Sequence, residues 1–436
     1  MEETPAKRVV ILGGGFGGVA AARALRNADV EVLLIDRRNH HIFQPLLYQV
    51  ATAVLAPSEV ASPIRQIAQR QANLSVLMAE VSGVDLEARR VRVAPPGLTD
   101  RSIDFDYLIV ATGVRPTYFG HDDFAAYAPA LKTLADAEAI RARILSAYEL
   151  AEQTDDPAVR ARALTFVLVG AGPTGVELAA SIAQMARVTL RSNFRRIDPN
   201  STTVLLLEGA GRVLPTFHES LAKKAADRLH AIGVTIRTGV MVERVDAQGV
   251  IVAGRRIDSD TVLWTAGVQA SAVIEQLHAN TDRAGRVKVG PLLSLPSQPR
   301  VYVIGDAASV LLDGRPLPGV AQVAIQQGRF VGRAIAAQVN GRPNAGPFKY
   351  RDRGNMAVVG KNFAVLERGT LRLSGFAVWV VWALVHVMFL PQGQNRLRVQ
   401  MQWLWSYMTG QRSSRLIPEP RAELAAKPAL RATESS

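Results

Sequence analysis

Twice along the chain an unbroken apolar run stops at a cluster of glycines, gives way to a stretch of small residues, and is followed by a second apolar run ending in an acid. The first copy starts with Val9, Val10, Ile11 and Leu12 and turns through Gly13-Gly14-Gly15-Phe16-Gly17-Gly18. It continues as a helix over 19–25 and closes with the run 30–35 and Asp36. The second copy has the run 164–169, the turn Gly170-Ala171-Gly172-Pro173-Thr174-Gly175, a helix over 176–185, and the run 204–207 closed by Glu208. The two turns begin 157 residues apart (170 − 13). Continuous rather than alternating apolar residues predict strands buried on both faces, as in a parallel sheet covered by helices. The expected class is α/β, with two doubly wound units of the Rossmann type.

The spacing assigns each residue a task. Gly13 permits the tight turn, Gly15 lets backbone approach a pyrophosphate, and Gly18 lets the helix lie close on its strand, with Gly170, Gly172 and Gly175 repeating the pattern. The pyrophosphate sits on the open N–H groups of the helix. Asp36 and Glu208 stand where a ribose diol is bound. An acid at Glu208 would repel a 2′-phosphate, which favours NADH over NADPH, although Arg212 nearby weakens that preference. One such turn could serve packing alone; two complete units imply two dinucleotides.

Other segments add candidates with two readings each. Residues 37–51 contain His41 and the run Pro45-Leu46-Leu47-Tyr48-Gln49, placed past the strand ends where open α/β sheets bind ligands, or else a buried loop and helix. Residues 57–72 read as a helix. The strand 106–111 ends at Thr112-Gly113, either crowding a nucleotide or simply turning. A helix is expected over 131–153, with a break at Asp155-Asp156-Pro157. Glu177 lies at the start of the second glycine-rich helix, where a carboxylate is favoured by about 0.3–1 kcal/mol whatever its role, or where it handles protons beside a cofactor. Strands over 234–252 and 261–267 follow. The run 301–304 delivers Asp306, which suits a sugar-alcohol chain or a helix cap. Gln322 and Gln326, four apart on one helix face, suit the carbonyls of a flat neutral ligand or cap nearby backbone.

The last hundred residues change character. Two short strands are expected around Gly360-Lys361-Asn362, followed by a nearly charge-free stretch over 376–390. It falls short of the ~20 residues needed to span a bilayer. A second helix over 396–408 carries Trp403, Trp405 and Tyr407 beside Arg396 and Arg398. Apolar aromatics with basic flanks predict helices lying in the headgroup layer, with a core or dimer-interface role as the rival and a single crossing by 376–390 as a further alternative. The tail beyond Ile417 reads as mobile. The hydrophobic content of 48% with 20% charged residues belongs to a folded protein. The net charge of +13 is dispersed, without the signatures of a nucleic-acid-binding fold, so no nucleic-acid partner is expected. There is no cysteine, which removes disulfides, thiolate metal sites and dithiol redox chemistry. No metal site is expected. Any redox chemistry needs a bound cofactor. The short polar start, without a secretory signal, favours the cytoplasm for the nucleotide units.

Together the His41–Ala51 segment, the Gly-Pro-Thr-Gly-Val-Glu turn, Trp264-Thr265-Ala266-Gly267, residues 321–328 and the Trp/Arg-rich C-terminal pair resemble the type II NADH dehydrogenases. The likeness runs from residue 9 to about 417. It implies non-covalent FAD on Gly13, Gly15, Gly18, Asp36 and Asp306, with Thr112 and Gly113 beside it. It implies NADH on Gly170, Gly172, Gly175 and Glu208. Glu177 would match the family's carboxylate between flavin and nicotinamide, Gln322 and Gln326 its quinone-site amides, and Lys361 a weaker candidate there. The resemblance further implies an FAD unit in two pieces (1–130 and 291–345), an NADH unit (131–290) and a membrane-associating C-terminal region (346–436). It implies a membrane quinone, ubiquinone or menaquinone, reduced without proton pumping by a homodimer lying on the cytoplasmic face of the cell membrane. A soluble reductase of a small electron-transfer protein and a non-catalytic NADH sensor remain as alternatives.

Overall fold

The computed structural model describes residues 6–312, 314–343 and 346–417. The first glycine turn belongs to a six-stranded sheet ordered Ser294–Leu295, Gln298–Val303, Tyr107–Val110, Lys7–Leu12, Val30–Asp36, Leu74–Met78. All its pairings are parallel except the hairpin of the first two strands. The second turn belongs to a four-stranded parallel sheet ordered Val234–Thr238, Thr203–Glu208, Thr165–Val169, Thr261–Trp264. In both, the strand before the glycines is central, with the acid-bearing strand on one side and a strand ending in small residues on the other. The runs Val9–Leu12 and Phe166–Val169 are buried throughout, as unbroken apolar sequence requires of strands covered on both faces.

Val114–Pro116 pairs antiparallel with Val268–Ala270, tying together the chain segments that leave the two sheets. Three antiparallel three-stranded sheets and several two-stranded ones make up the rest of the described β-structure; one of the three-stranded sheets, Asn355–Val358, Ala364–Arg368 and Leu371–Gly375, leads directly into helix Phe376–Phe389. A hydrophobic core joins residues Ile42–Leu55, helix Leu134–Gln153, helix Pro173–Gln184 and parts of the two C-terminal helices. Val378, Trp382, Val387 and Val399 are therefore buried against the nucleotide-binding body. Helix Leu134–Gln153 starts where Thr133 and Asp136 cap each other's backbone N–H groups at 3.1 and 2.7 Å.

Some expected elements differ. Residues 57–72 are not one helix but helix Pro57–Val60, strand Ala61–Pro63 and helix Ile64–Ala68. Pro63 lacks an N–H and pushes Ser62 into extended backbone, so a helix cannot pass through. The third strand Leu371–Gly375 was not expected, because its Leu-Arg-Leu-Ser alternation is short and runs straight into the apolar stretch of the next helix. The expected mobile tail lies outside the described residues. Among the described residues, no helix is long and apolar enough to cross a membrane.

Candidate active site

The two glycine turns are built alike in backbone. Gly13 and Gly170 hold φ of +102° and +101°, and a side chain on either would run into the strand beyond, at Ala111 or Ala266. A Cβ on Gly18 or Gly175 would overlap the carbonyl oxygen of Gly13 or Gly170, so helix and strand meet backbone to backbone. A Cβ on Gly15 or Gly172, by contrast, would point into open space with nothing within 4 Å. Each is the N-cap of its helix, Phe16–Ala24 or Pro173–Gln184, and neither helix has a side-chain cap. Their first N–H groups are left for an anion.

The acids have a role the sequence pattern did not disclose. Asp36 accepts from the N–H of Gly14 at 2.7 Å and of Arg38 at 2.8 Å. Glu208 repeats this on the N–H of Ala171 at 2.5 Å and of Ala210 at 2.8 Å. Each carboxylate clamps the turn it faces. Only the distance between 36 and 14 in space, not in sequence, reveals it.

The surroundings of the first turn fit FAD. Asp306, at the end of strand Gln298–Val303, has no hydrogen-bond partner among the described residues, and Gly319 packs against its carboxyl group. Arg38 has Nε and Nη1 buried without partners beside Asp36. Gly113 is open, with φ of +65°, while the Thr112 hydroxyl pairs with Ser271 at 2.6 Å. Open glycines, an unpartnered acid for hydroxyls and unpartnered guanidinium N–H groups match a pyrophosphate, a sugar-alcohol chain and an adenosine end. His41 Nδ1 donates to the carbonyl of Gly14 at 2.9 Å, binding the 41–51 segment to the turn, and burial keeps its ring pKa low.

One short stretch of backbone collects the remaining candidates. The Gln326 amide donates to the Arg351 carbonyl and accepts from the Arg351 N–H, both at 3.0 Å. The Gln322 amide donates to the Gly354 carbonyl at 2.9 Å and accepts from the Arg353 N–H at 3.2 Å. Glu177 accepts from the Val358 N–H at 3.3 Å. Residues 351–358 thus bring Gln326, Gln322 and Glu177 together in order. The two amides hold backbone, which is the second of the roles their spacing allowed.

Glu177 sits past the first turn of its helix, which contains no acid, so the expected helix-end stabilisation is weak there. Burial dominates instead and pushes its carboxyl up to about 8. Lys361 is exposed and turned to the end of helix Gly393–Thr409, with Nζ 2.8 Å from the Tyr407 carbonyl and 4.0 Å from the ring centroid.

Sequence reasoning missed Arg412. Its side chain is buried, donating from Nη1 to the Thr52 carbonyl at 2.8 Å and from Nη2 to the Ser181 carbonyl at 3.0 Å. The Thr52 and Ser181 hydroxyls lie 2.7 Å apart. Burial lowers the guanidinium to about 10, so it stays charged at neutral pH. It fastens the chain after the last helix to the 41–52 segment and to the second glycine-rich helix. Nothing in a lone arginine 231 residues from Ser181 signals this.

Residues 7–328 match the pyridine nucleotide-disulphide oxidoreductase family. The chain is 43% identical over 426 residues to a type II NADH:quinone oxidoreductase (Ndh) of Mycobacterium tuberculosis, covering 95% of this chain and 91% of that protein. A second type II NADH:quinone oxidoreductase of the same organism (NdhA) is 42% identical over 414 residues, covering 92% and 87%. The fold is similar to that of NDH2 from Plasmodium falciparum, solved in complex with NADH, with a TM-score of 0.85 at 19% identity over 94% of this chain and 99% of that one. With two matched nucleotide turns and relatives alike over nearly their whole length, this chain belongs to the type II NADH:quinone oxidoreductases within the pyridine nucleotide-disulphide oxidoreductase family.

Proposed function

We propose that the protein is a membrane-associated flavoenzyme that oxidises NADH and reduces a quinone to quinol without pumping protons. One observation carries the reading: two equivalent dinucleotide turns occur in a chain with no cysteine. The dithiol relay that gives the wider family its name is chemically impossible here, so electrons taken from NADH must pass from flavin to a second substrate directly.

When bound on Gly13, Gly15, Gly18, Asp36 and Asp306, FAD supplies a reversible two-electron carrier. The protein's part is binding, orientation and proton supply. Gly170, Gly172, Gly175 and Glu208 hold the NADH pyrophosphate and adenosine ribose, which fixes the reach of the nicotinamide end. Glu177 keeps a proton on its carboxyl up to about pH 8, close to residues 351–358. It can therefore hand on one proton as quinone becomes quinol. Gln322 and Gln326 hold the 351–354 backbone in place and offer their remaining capacity to a quinone carbonyl. Lys361 marks the rim toward the last helix. No Asp or Glu occurs over 376–409, so these helices provide no carboxylate route for pumping.

The apolar face supports a lipid-soluble partner. Phe376, Leu384, Met388, Leu397, Met401 and Trp405 are all more than half exposed on the two C-terminal helices. A soluble reductase would have no use for such a surface. The nucleotide units are placed on the cytoplasmic side, where NADH is available, and light scattering in detergent tests the homodimer that the family resemblance implies.

The test follows the flavin absorbance of purified protein without oxygen. NADH should bleach the band and a quinone should restore it. Bleaching that no ubiquinone or menaquinone analogue reverses would overturn the quinone reading.

A further inference from the structure

Between the glycine turn and the C-terminal helices runs a line of aromatic side chains. Phe16 meets Phe43 at 5.7 Å between ring centroids, Phe43 meets His386 at 6.1 Å, His386 meets Trp382 at 4.4 Å, and Trp382 stacks on Trp403 at 5.5 Å. Its far end lies on helices Phe376–Phe389 and Gly393–Thr409, whose outer faces are exposed and apolar. Its near end lies on the first glycine-rich helix.

Polar groups along this line are almost all donors. Trp403 Nε1 donates to the Gln49 amide oxygen at 2.7 Å, and Gln49 Nε2 donates to the Tyr48 hydroxyl at 3.0 Å. The Tyr48 oxygen is thereby used as an acceptor, and its own O–H donates to none of the described residues. Tyr48 is 6% exposed, so water does not readily take that proton. Trp382 is 3% exposed, and its Nε1–H is buried with no partner. Glu177 is near enough for its charge to add to the burial that raises the phenol's pKa. Buried donors without acceptors are costly and call for an acceptor from elsewhere. A para-quinone ring is flat and apolar, with two carbonyl acceptors and no donor.

We propose that Tyr48 donates a hydrogen bond through its hydroxyl to a carbonyl oxygen of the quinone, with its direction set by the Gln49 amide and, through it, by Trp403 of the last helix. Of these three, Tyr48 touches substrate; Gln49 and Trp403 are positioning residues. This inference rests on the quinone reading above and adds a donor to the two amides, Gln322 and Gln326, that the reading already gives the quinone.

Binding to the oxidised holoenzyme, measured by calorimetry without NADH, tests it. The probes are 2-methyl-1,4-naphthoquinone and 2-methylnaphthalene, which lacks both carbonyls. Tyr48→Phe should weaken quinone binding about tenfold and leave the hydrocarbon's binding unchanged. Trp403→Phe should weaken quinone binding less, and the double variant should bind no more weakly than Tyr48→Phe alone, because Trp403 acts through Tyr48. Flavin content, read from absorbance, reports whether each variant has folded. Should Tyr48→Phe not load FAD, Gln49→Leu with Trp403→Phe gives the same comparison. Unchanged quinone affinity, equal losses for both probes, or additive losses in the double variant would overturn the assignment. A native protein that binds neither probe would instead overturn the quinone reading itself.

Discussion

At Glu177 the balance is between a protein environment that desolvates the anion and the Val358 N–H that hydrogen-bonds to it, and desolvation prevails. The pH dependence follows with a definite sign. Unfolded, this carboxyl ionises near its ordinary value of 4.5; folded, it holds its proton to about 8. Between those limits the native state binds more protons, so stability falls as pH rises through the window and is fully retained below it. Glu177→Gln, permanently neutral, should flatten the decline of Tm between about pH 5 and 8. An identical slope in the variant would show that Glu177 is already ionised in the native protein. Glu208 raises a different question, because the carboxylate proposed to receive the adenosine ribose also clamps Ala171 and Ala210. Glu208→Gln keeps one acceptor oxygen for the clamp and removes the charge. Its kcat/KM for NADPH should rise relative to NADH; unchanged discrimination in steady-state assays would take the charge out of cofactor choice.

At the level of elements, the glycines do two opposite things. Gly328 and Gly332 of helix Ala321–Val339 lie on Gly17 and Ala21 of helix Phe16–Ala24, and a Cβ on Gly328 would overlap the Gly17 carbonyl. A Cβ on Gly15 would meet nothing within 4 Å, and its φ of −76° is one alanine adopts freely. Gly328→Ala should therefore lower Tm with or without cofactor, by an overpacking cost of about 1–3 kcal/mol. Gly15→Ala should leave the stability of FAD-free protein unchanged yet reduce FAD retention, since its methyl fills the space that backbone gives a pyrophosphate. Thermal melts with flavin content measured on the same samples separate the two, and equal loss of Tm would refute the distinction. These turns were readable in sequence because close backbone contact leaves glycine as the only choice, at fixed offsets. The break at Pro63 was also written in the chain, in a residue that cannot continue a helix, but the surrounding helix formers masked it. The Trp403–Gln49–Tyr48 line and the Arg412 fastening were not readable. Their partners are common residue types separated by up to 360 positions, and no periodicity links them.

For the whole molecule, charge and apolar exposure fall on the same region. Residues 346–417 hold ten lysines and arginines against two acids, Asp352 and Glu367, a surplus of eight out of the chain's +13. The same region presents Met388 at 70% and Leu397 at 61% exposure. An apolar face with cationic flanks binds a bilayer by two terms that respond differently to salt: buried area does not, and attraction to anionic headgroups does, since the Debye length is ≈ 8 Å at 0.15 M salt. Binding to vesicles containing phosphatidylglycerol should weaken with salt down to a floor set by the apolar face, while binding to phosphatidylcholine vesicles should start near that floor. Leu384→Glu with Met388→Glu places two charges on exposed positions of helix Phe376–Phe389, away from its buried contacts Val378, Trp382 and Val387. The double variant should lose the salt-resistant part of binding in flotation assays, keep its unfolding free energy within about 0.5 kcal/mol per site of the native value, and still be reduced by NADH. If it floats with phosphatidylcholine vesicles as the native protein does, this helix does not enter the membrane surface, and the quinone must reach Tyr48 by some other opening.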